Sequence, residues 1–246
     1  MYAAIWIAIS LSLLAATSAV AADCRPVEFH NARFTVCEAD PATEDIRLVL
    51  DDHSGTKIGT FDRLSDILAQ EGREIAFAMN AGMYHPDRRP VGLYIEEDQQ
   101  FARIVTRAGP GNFGLLPNGV LCLSKNGARI IESREFAADP PDCRDATQSG
   151  PMLVIDGDLH PRFLPKSTSR YIRNGVGLTE SGRLIAAISD QPVNFDTFGQ
   201  LFRDHLKTPN ALFLDGNVSR LAATDLNRHD IGFPMGPMLV VTRPVN

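Results

Sequence analysis

The 246-residue chain contains no C-x-x-C pair, no paired-histidine spacing, no P-loop and no strand-to-helix dinucleotide fingerprint. Those absences leave no signal for a thioredoxin-like redox pair, a zinc knuckle, a metalloprotease site or a nucleotide cofactor. The six histidines occur singly, so no metal ligand set is assigned. Ser149-Gly150-Pro151 lacks the G-x-S-x-G elbow, and no serine triad can be drawn. Cationic clusters are equally scarce. Lys and Arg number 24 against 30 Asp and Glu, a net charge of −6, which argues against a nucleic-acid partner. There is no low-complexity run, no solenoid-period repeat and no long Pro/Gly/Ser linker, so the chain reads as one domain after its N-terminal segment.

Charge is missing altogether from the first 22 residues, which end in Ala19-Val20-Ala21 spacing. A charge-free apolar stretch closing on small residues reads as a secretory signal peptide over 1–22. An uncleaved anchor is the other reading of that length. Either puts residues 23–246 outside the cytoplasm, in the periplasm or secreted, with no membrane contact once the leader is cleaved. The four cysteines all lie downstream of the leader. Three connectivities are possible; Cys24 with Cys37 and Cys122 with Cys143 is favoured because each pair closes a short local loop.

What the chain does have is many short β-like runs. They cover Arg33 to Cys37, Ile46 to Leu50, Ile75 to Met79, Val91 to Glu96, Val120 to Leu123 and Ala128 to Glu132. Further runs follow at Met152 to Ile155, Asn174 to Thr179, Arg183 to Ser189, Ala211 to Leu214 and Pro237 to Val241. Asn126-Gly127, Asp156-Gly157 and Ser181-Gly182 are hairpin signals. Helical spacing is confined to two places: Phe61, Leu64, Ile67 and Leu68 before Gly72, and Phe198, Leu201, Phe202 and Leu206 after Asp196. The pattern predicts an α+β fold, a single domain of mixed β-sheets with hairpins and a few flanking helices.

Several apolar runs end in Asp or Asn, often beside Gly: Ala76 to Gly82, Pro151 to Gly157, Leu184 to Gln191 and Ala211 to Asn217. Rigid strands that deliver polar groups at their ends, with glycine for close approach, can build a cleft. A second local feature is the absence of any acid between Leu159 and Thr179, where Arg162, Lys166, Arg170 and Arg173 stand. In an acidic chain that excess points to an anion, for which Arg is suited by bidentate hydrogen bonding. Asp190 and Asp215 are the carboxylates least explained by a tight turn. His85 offers a general acid or a substrate contact.

Taken in order, Asn80-Ala-Gly-Met-Tyr84, Pro90-Val-Gly-Leu93, Gly150 to Gly157, Arg173-Asn-Gly-Val-Gly177, Asp190 and Leu214-Asp-Gly-Asn-Val-Ser219 resemble the phosphodiester glycosidase family. The likeness spans roughly residues 75 to 241. It implies hydrolysis of the glycosidic bond of a sugar 1-phosphodiester, with no cofactor and a phosphorylated glycan or sugar phosphodiester as partner. Carried over by position, it implies Asp190, Asp215 and Arg173 as catalytic residues. It implies Asn80, Gly82, Gly150, Gly216 and Ser219 around the substrate, with His85 added from its motif. Two departures stand out. Asn217-Val218 replace glycines that would let backbone amides approach phosphate, and Asn174 replaces a threonine. Two other readings stay open: a phosphoglycan-binding module without catalysis, and a metal-dependent phosphodiesterase.

Overall fold

The computed structural model describes residues 22–245, so the expected leader lies outside the described residues except for Ala22. Asp23–Phe29 (β1), Ala32–Ala39 (β2) and Asp45–Val49 (β3) precede helix α1 (Phe61–Gln70). Next come Arg73–Asn80 (β4), Tyr94–Glu96 (β5), Gln99–Ala102 (β6), Gly119–Ser124 (β7), Gly127–Glu132 (β8) and helix α2 (Ser133–Ala138). Asp145–Ser149 (β9), Met152–Ile155 (β10), Asp158–Leu159 (β11), Asn174–Leu178 (β12) and Leu184–Ser189 (β13) follow. Helix α3 (Phe195–Gln200) runs on as a π-helical turn over Leu201–His205. Asn210–Asp215 (β14), Leu221–Ala223 (β15), Arg228–His229 (β16) and Met238–Pro244 (β17) come last.

These strands form three sheets, ordered β1-β2-β13-β12-β14-β10-β11, β16-β15-β4-β17-β3 and β6-β5-β9-β7-β8. Every ladder described is antiparallel, as the hairpin signals require. One apolar cluster draws on the inner faces of all three: Cys37, Val176 and Leu212 from the first, Leu48, Phe77 and Leu239 from the second, Tyr94 and Leu121 from the third. Strand residues alternate faces, so each sheet has a second apolar face to cover. A helix covers each one. Phe198, Leu201 and Phe202 cap the first sheet, Phe61, Leu64 and Leu68 of α1 the second, and Phe136 of α2 the third. The fold is α+β, and both helical spacings in the sequence fall on these covering faces.

Cys24 pairs with Cys37 across the β1–β2 ladder, and Cys122 of β7 with Cys143, as the local loops suggest. Asp156 (φ 48°) and Gly157 (φ 89°) make the turn between β10 and β11. The expected strand from Val91 is shorter, starting at Tyr94. Its entry is taken over by Gln148, whose side-chain oxygen accepts from the Leu93 amide at 3.1 Å. Strand β9 has no counterpart in the apolar runs, because its sequence, DATQS, is polar yet wholly buried.

That polar strand joins the sheets. Thr147 Oγ1 donates to Ala81 O, just past β4, at 2.8 Å, and Ser149 Oγ donates to Leu214 O of β14 at 3.0 Å. Asn80 at the end of β4 meets Asn174 at the start of β12. All three sheets therefore converge at one end, where β4 and β14 finish and β12 begins.

Candidate functional site

A cleft of about 680 Å³ opens at this convergence, lined by Tyr84, His85, Tyr171, Asp215, Gly216 and Asn217 among others. Asp215 is its buried carboxylate, 7% exposed. The turn after β14 folds back on it: the amides of Gly216 and Asn217 donate to Oδ1 at 2.6 and 2.8 Å. Burial pushes the Asp215 carboxyl above its usual range, while the Asn217, Gly216 and Val218 amides pull the other way by favouring the charged form. The Gly216 and Asn217 amides are thus committed to Asp215. The substituted Asn217-Val218 pair instead lines the cleft.

Behind Asp215 stands a fully buried amide pair. Asn174 Nδ2 donates to Asn80 Oδ1 at 3.0 Å and Asn80 Nδ2 donates to Asn174 Oδ1 at 3.3 Å. Asn174 Oδ1 also accepts from the Asp215 amide at 3.0 Å and from Ser219 Oγ at 3.3 Å. The single Ser219 hydroxyl proton is shared among Asn174 Oδ1, Ile172 O at 3.0 Å and Asp215 O at 2.8 Å, the last being nearest, and Asn80 Oδ1 accepts from the Arg220 amide at 3.0 Å. Asn80 and Ser219 therefore hold the carboxylate turn from behind. A threonine at Asn174 could not span to both Asn80 and Asp215 in this way, because it has one hydroxyl in place of an amide with separate donor and acceptor ends.

Arg173 is buried completely. Its Nε donates to Val193 O at 2.9 Å and its Nη2 to Ser169 O at 3.1 Å, but Nη1 has no hydrogen-bond partner. The guanidinium lies 3.7 Å from the Phe195 ring centroid, and Phe213 and Tyr171 flank it at 5.4 and 5.5 Å. Among the described residues it forms no ion pair with a carboxylate. Burial without an anion lowers its pKa to about 10. A β-carbon on Gly216 would sit 3.5 Å from Nη1, which places this donor directly under the floor of the cleft.

Tyr84 forms the opposite wall. Burial pushes its phenol up to about 12, with Asp215 adding to the rise and Arg220 and Arg88 opposing it. The phenol is protonated at neutral pH, so it can donate a hydrogen bond. The sequence holds Tyr84 in its first motif without a role attached, and carries no signal for Arg88, Arg220 or Tyr171. Tyr171 lines the cleft and Arg220 acts on Tyr84 from segments far from Tyr84 in sequence, a proximity no local pattern carries.

The remaining expected residues are distributed differently. His85 lines the cleft and is exposed. Gly82 and Gly150 do not line it. They pack beneath, where a β-carbon would come within 3.1 Å of Thr147 Oγ1 and 2.5 Å of Asn118 Cβ respectively. Asp190 follows β13, at the same end of the sheet as Asp215, but β12 stands between β13 and β14. Two strand spacings, about 10 Å, separate them. The Asp190 carboxylate turns the other way, accepting from Arg228 Nη1 at 2.5 Å and Thr35 Oγ1 at 3.2 Å.

No group of three or more His, Cys, Asp or Glu among the described residues is arranged to hold a metal ion. Gly109, Gly111 and Gly114 have the glycine spacing of a dinucleotide turn but lie in a loop with no helix after it.

The phosphodiester glycosidase family model matches residues 73–242. The chain is 32% identical over 203 residues to the uncharacterized protein YigE of Escherichia coli (strain K12), covering 82% of this chain and 79% of that one. Among solved structures, it is similar to the catalytic domain of zebrafish N-acetylglucosamine-1-phosphodiester alpha-N-acetylglucosaminidase, auto-inhibited by its pro-peptide. That likeness has a TM-score of 0.62 at 12% identity, over 89% of this chain and 81% of that one. A putative exported protein of Burkholderia pseudomallei gives a TM-score of 0.60 at 10% identity, over 85% and 74% of the two chains. At these identities the structural likenesses are of fold.

Proposed function

The chain belongs to the phosphodiester glycosidase family, and from that membership we propose that it hydrolyses the glycosidic bond of a sugar 1-phosphodiester, releasing the sugar and a phosphomonoester. The observation that carries this reading beyond the family is the stacking of charges at the cleft floor. One buried carboxylate, Asp215, faces the opening, and an unpaired buried guanidinium, Arg173, lies beneath it. A cation held in an apolar cage without a counterion costs several kcal/mol. That arrangement becomes favourable when an anion arrives, as a phosphate does.

In the proposed reaction the anomeric C–O bond breaks with its electron pair leaving on the phosphate oxygen. Phosphate is a far better leaving group than an alkoxide, so acid assistance matters less than charge stabilisation. Asp215, fixed by its own turn, faces the anomeric carbon and stabilises its oxocarbenium character. The oxygen that accepts neither the Gly216 nor the Asn217 amide orients the attacking water, whose hydroxyl joins the carbon while the proton passes to the carboxylate and then to solvent. Arg173 acts through the Gly216 backbone as a fixed positive potential under the departing phosphate. Tyr84 exchanges its long hydrogen bond to Pro234 O, at 3.4 Å, for one donated to a substrate oxygen. Asn80, Asn174 and Ser219 keep the Asp215 turn in place, and Asp190 enters as the partner of Arg228 and Thr35. Two disulfides and the charge-free N-terminal segment support a periplasmic or secreted site of action, with residues 23–246 as the working domain.

The test is turnover of sugar 1-phosphodiesters in oxygen-18 water, with and without chelator. Label on the sugar hydroxyl is the expected result. Label on phosphate, or loss of activity in chelator, overturns the mechanism.

A further inference from the structure

Between β16 and β17 the chain runs Asp230-Ile-Gly-Phe-Pro-Met-Gly-Pro237 past the wall of the cleft. Ile231 is 87% and Phe233 81% exposed, more than any other large apolar side chain described. Single exposed hydrophobics are ordinary, but this pair is held in position. The Met235 amide donates to Gly59 O at 2.7 Å and its side chain is buried against α1. Tyr84 Oη donates to Pro234 O at 3.4 Å, and Gly236 lies on the Tyr84 ring, where a β-carbon would come within 2.6 Å.

Arg220 sits in the middle of the pair. Its Nη1 donates to Phe233 O, and Gly232 lies flat on the guanidinium, where a β-carbon would approach Nη2 to 2.1 Å. Ile-Gly-Phe therefore sets two exposed apolar residues on either side, in sequence, of the glycine that covers this cation. Arg88 stands close by, its Nη1 and Pro234 Cβ both meeting the space above Gly59. Neither Arg88 nor Arg220 forms an ion pair among the described residues. Both cations act on Tyr84, the residue that also feels Asp215, so the rim is electrostatically continuous with the site.

We propose that this rim is the subsite for the alcohol side of the phosphodiester, and that the alcohol is a hydrocarbon chain. The inference rests on the sugar-phosphodiester reading above and names the substrate class within it. Arg220 and Arg88 take the phosphate oxygens, and Ile231 and Phe233 cover the first methylenes beyond the ester oxygen. A glycan on this side would need hydrogen-bonding groups from the rim. Ile231 and Phe233 supply none, and Gly232 between them has no side chain.

Alkyl phosphates mimic the phosphomonoester product, so their binding can be read without turnover. Calorimetric titration of the protein with butyl and octyl phosphate, below micelle formation, compares the two. Four extra methylenes, half covered, correspond to about a tenfold tighter Kd for octyl phosphate. The double variant I231S/F233S is expected to bring the two ligands within about twofold of each other. Phe101→Ser, an exposed aromatic on the third sheet, is expected to keep the octyl advantage. Equal affinities in the unaltered protein, no binding of either ligand, or an octyl advantage that survives I231S/F233S overturns the assignment. An octyl advantage that I231S/F233S removes, in a protein that hydrolyses no butyl or octyl sugar phosphodiester, sustains the subsite and refutes the glycosidase reading instead.

Discussion

At the scale of single residues, the roles of Asp215, Arg173 and Asn174 separate by experiment. Asp215→Asn keeps the shape of the carboxyl and removes its charge, and is expected to lower kcat by about 10² to 10⁴ with an unchanged circular dichroism spectrum. Because Asp215 must be ionised in the proposed reaction and burial raises its pKa, the acid limb of the kcat profile is expected above the ordinary Asp range. Arg173→Met removes a cation that has no anion. It is expected to cost little stability in a thermal melt while weakening phosphate binding at least about tenfold. Asn174→Ala acts oppositely. It strips partners from the Asp215 amide, the Ser219 hydroxyl and the Asn80 amide, and a destabilisation of about 3 kcal/mol by denaturant titration is expected. The motif order made Asp215, Arg173 and Asn80 legible, since each ends or begins a strand. The direction of a side chain was not: Asp190 stands at the same end of the sheet, and Arg228, 38 residues later, and Thr35, 155 residues earlier, hold its carboxylate away.

Among the elements, the apolar runs and glycine turns located most strands, because alternation and turn chemistry are local. Strand β9 escaped because its burial is satisfied by hydrogen bonds reaching into the other sheets, and polar residues leave no alternation to detect. Strand β9 also carries Asp145, which shares a cleft between the second and third sheets with Asp51 and Glu96. Burial raises Glu96 to about 7 from 4.5, and Asp145 and Asp51 add to the rise, against hydrogen bonds from Tyr94 and Leu50. Lys57 is engaged with Asp51 and Arg144 with Asp145. Between pH 4.5 and 7 the folded chain keeps a proton at Glu96 that the unfolded chain has released. Stability from this group therefore falls as pH rises through that window. Melting temperature measured across it is expected to decline less steeply in Glu96→Gln. Removing the Cys122–Cys143 bridge, which closes a 21-residue separation, is expected to cost about 3 kcal/mol in the same assay.

For the whole molecule, three sheets share a core, and each has its outer face covered by a helix. The α+β class was readable from the mixture of hairpin signals and two amphipathic segments. The division into three sheets was not, because pairings such as β2 with β13 and β4 with β17 join segments more than a hundred residues apart. The two disulfides brace what is already local: one ties neighbouring strands of the first sheet, the other fastens the third sheet to the segment before β9. Neither crosses from one sheet to another. The line where Asn80, Asn174, Thr147 and Ser149 meet is held by hydrogen bonds and packing alone, so it is a mechanical seam running under the Asp215 turn. Modest denaturant is expected to part this seam while the braced sheets endure, so that hydrolysis fades at a lower urea concentration than far-ultraviolet ellipticity. A staple engineered across it would bring the two midpoints together.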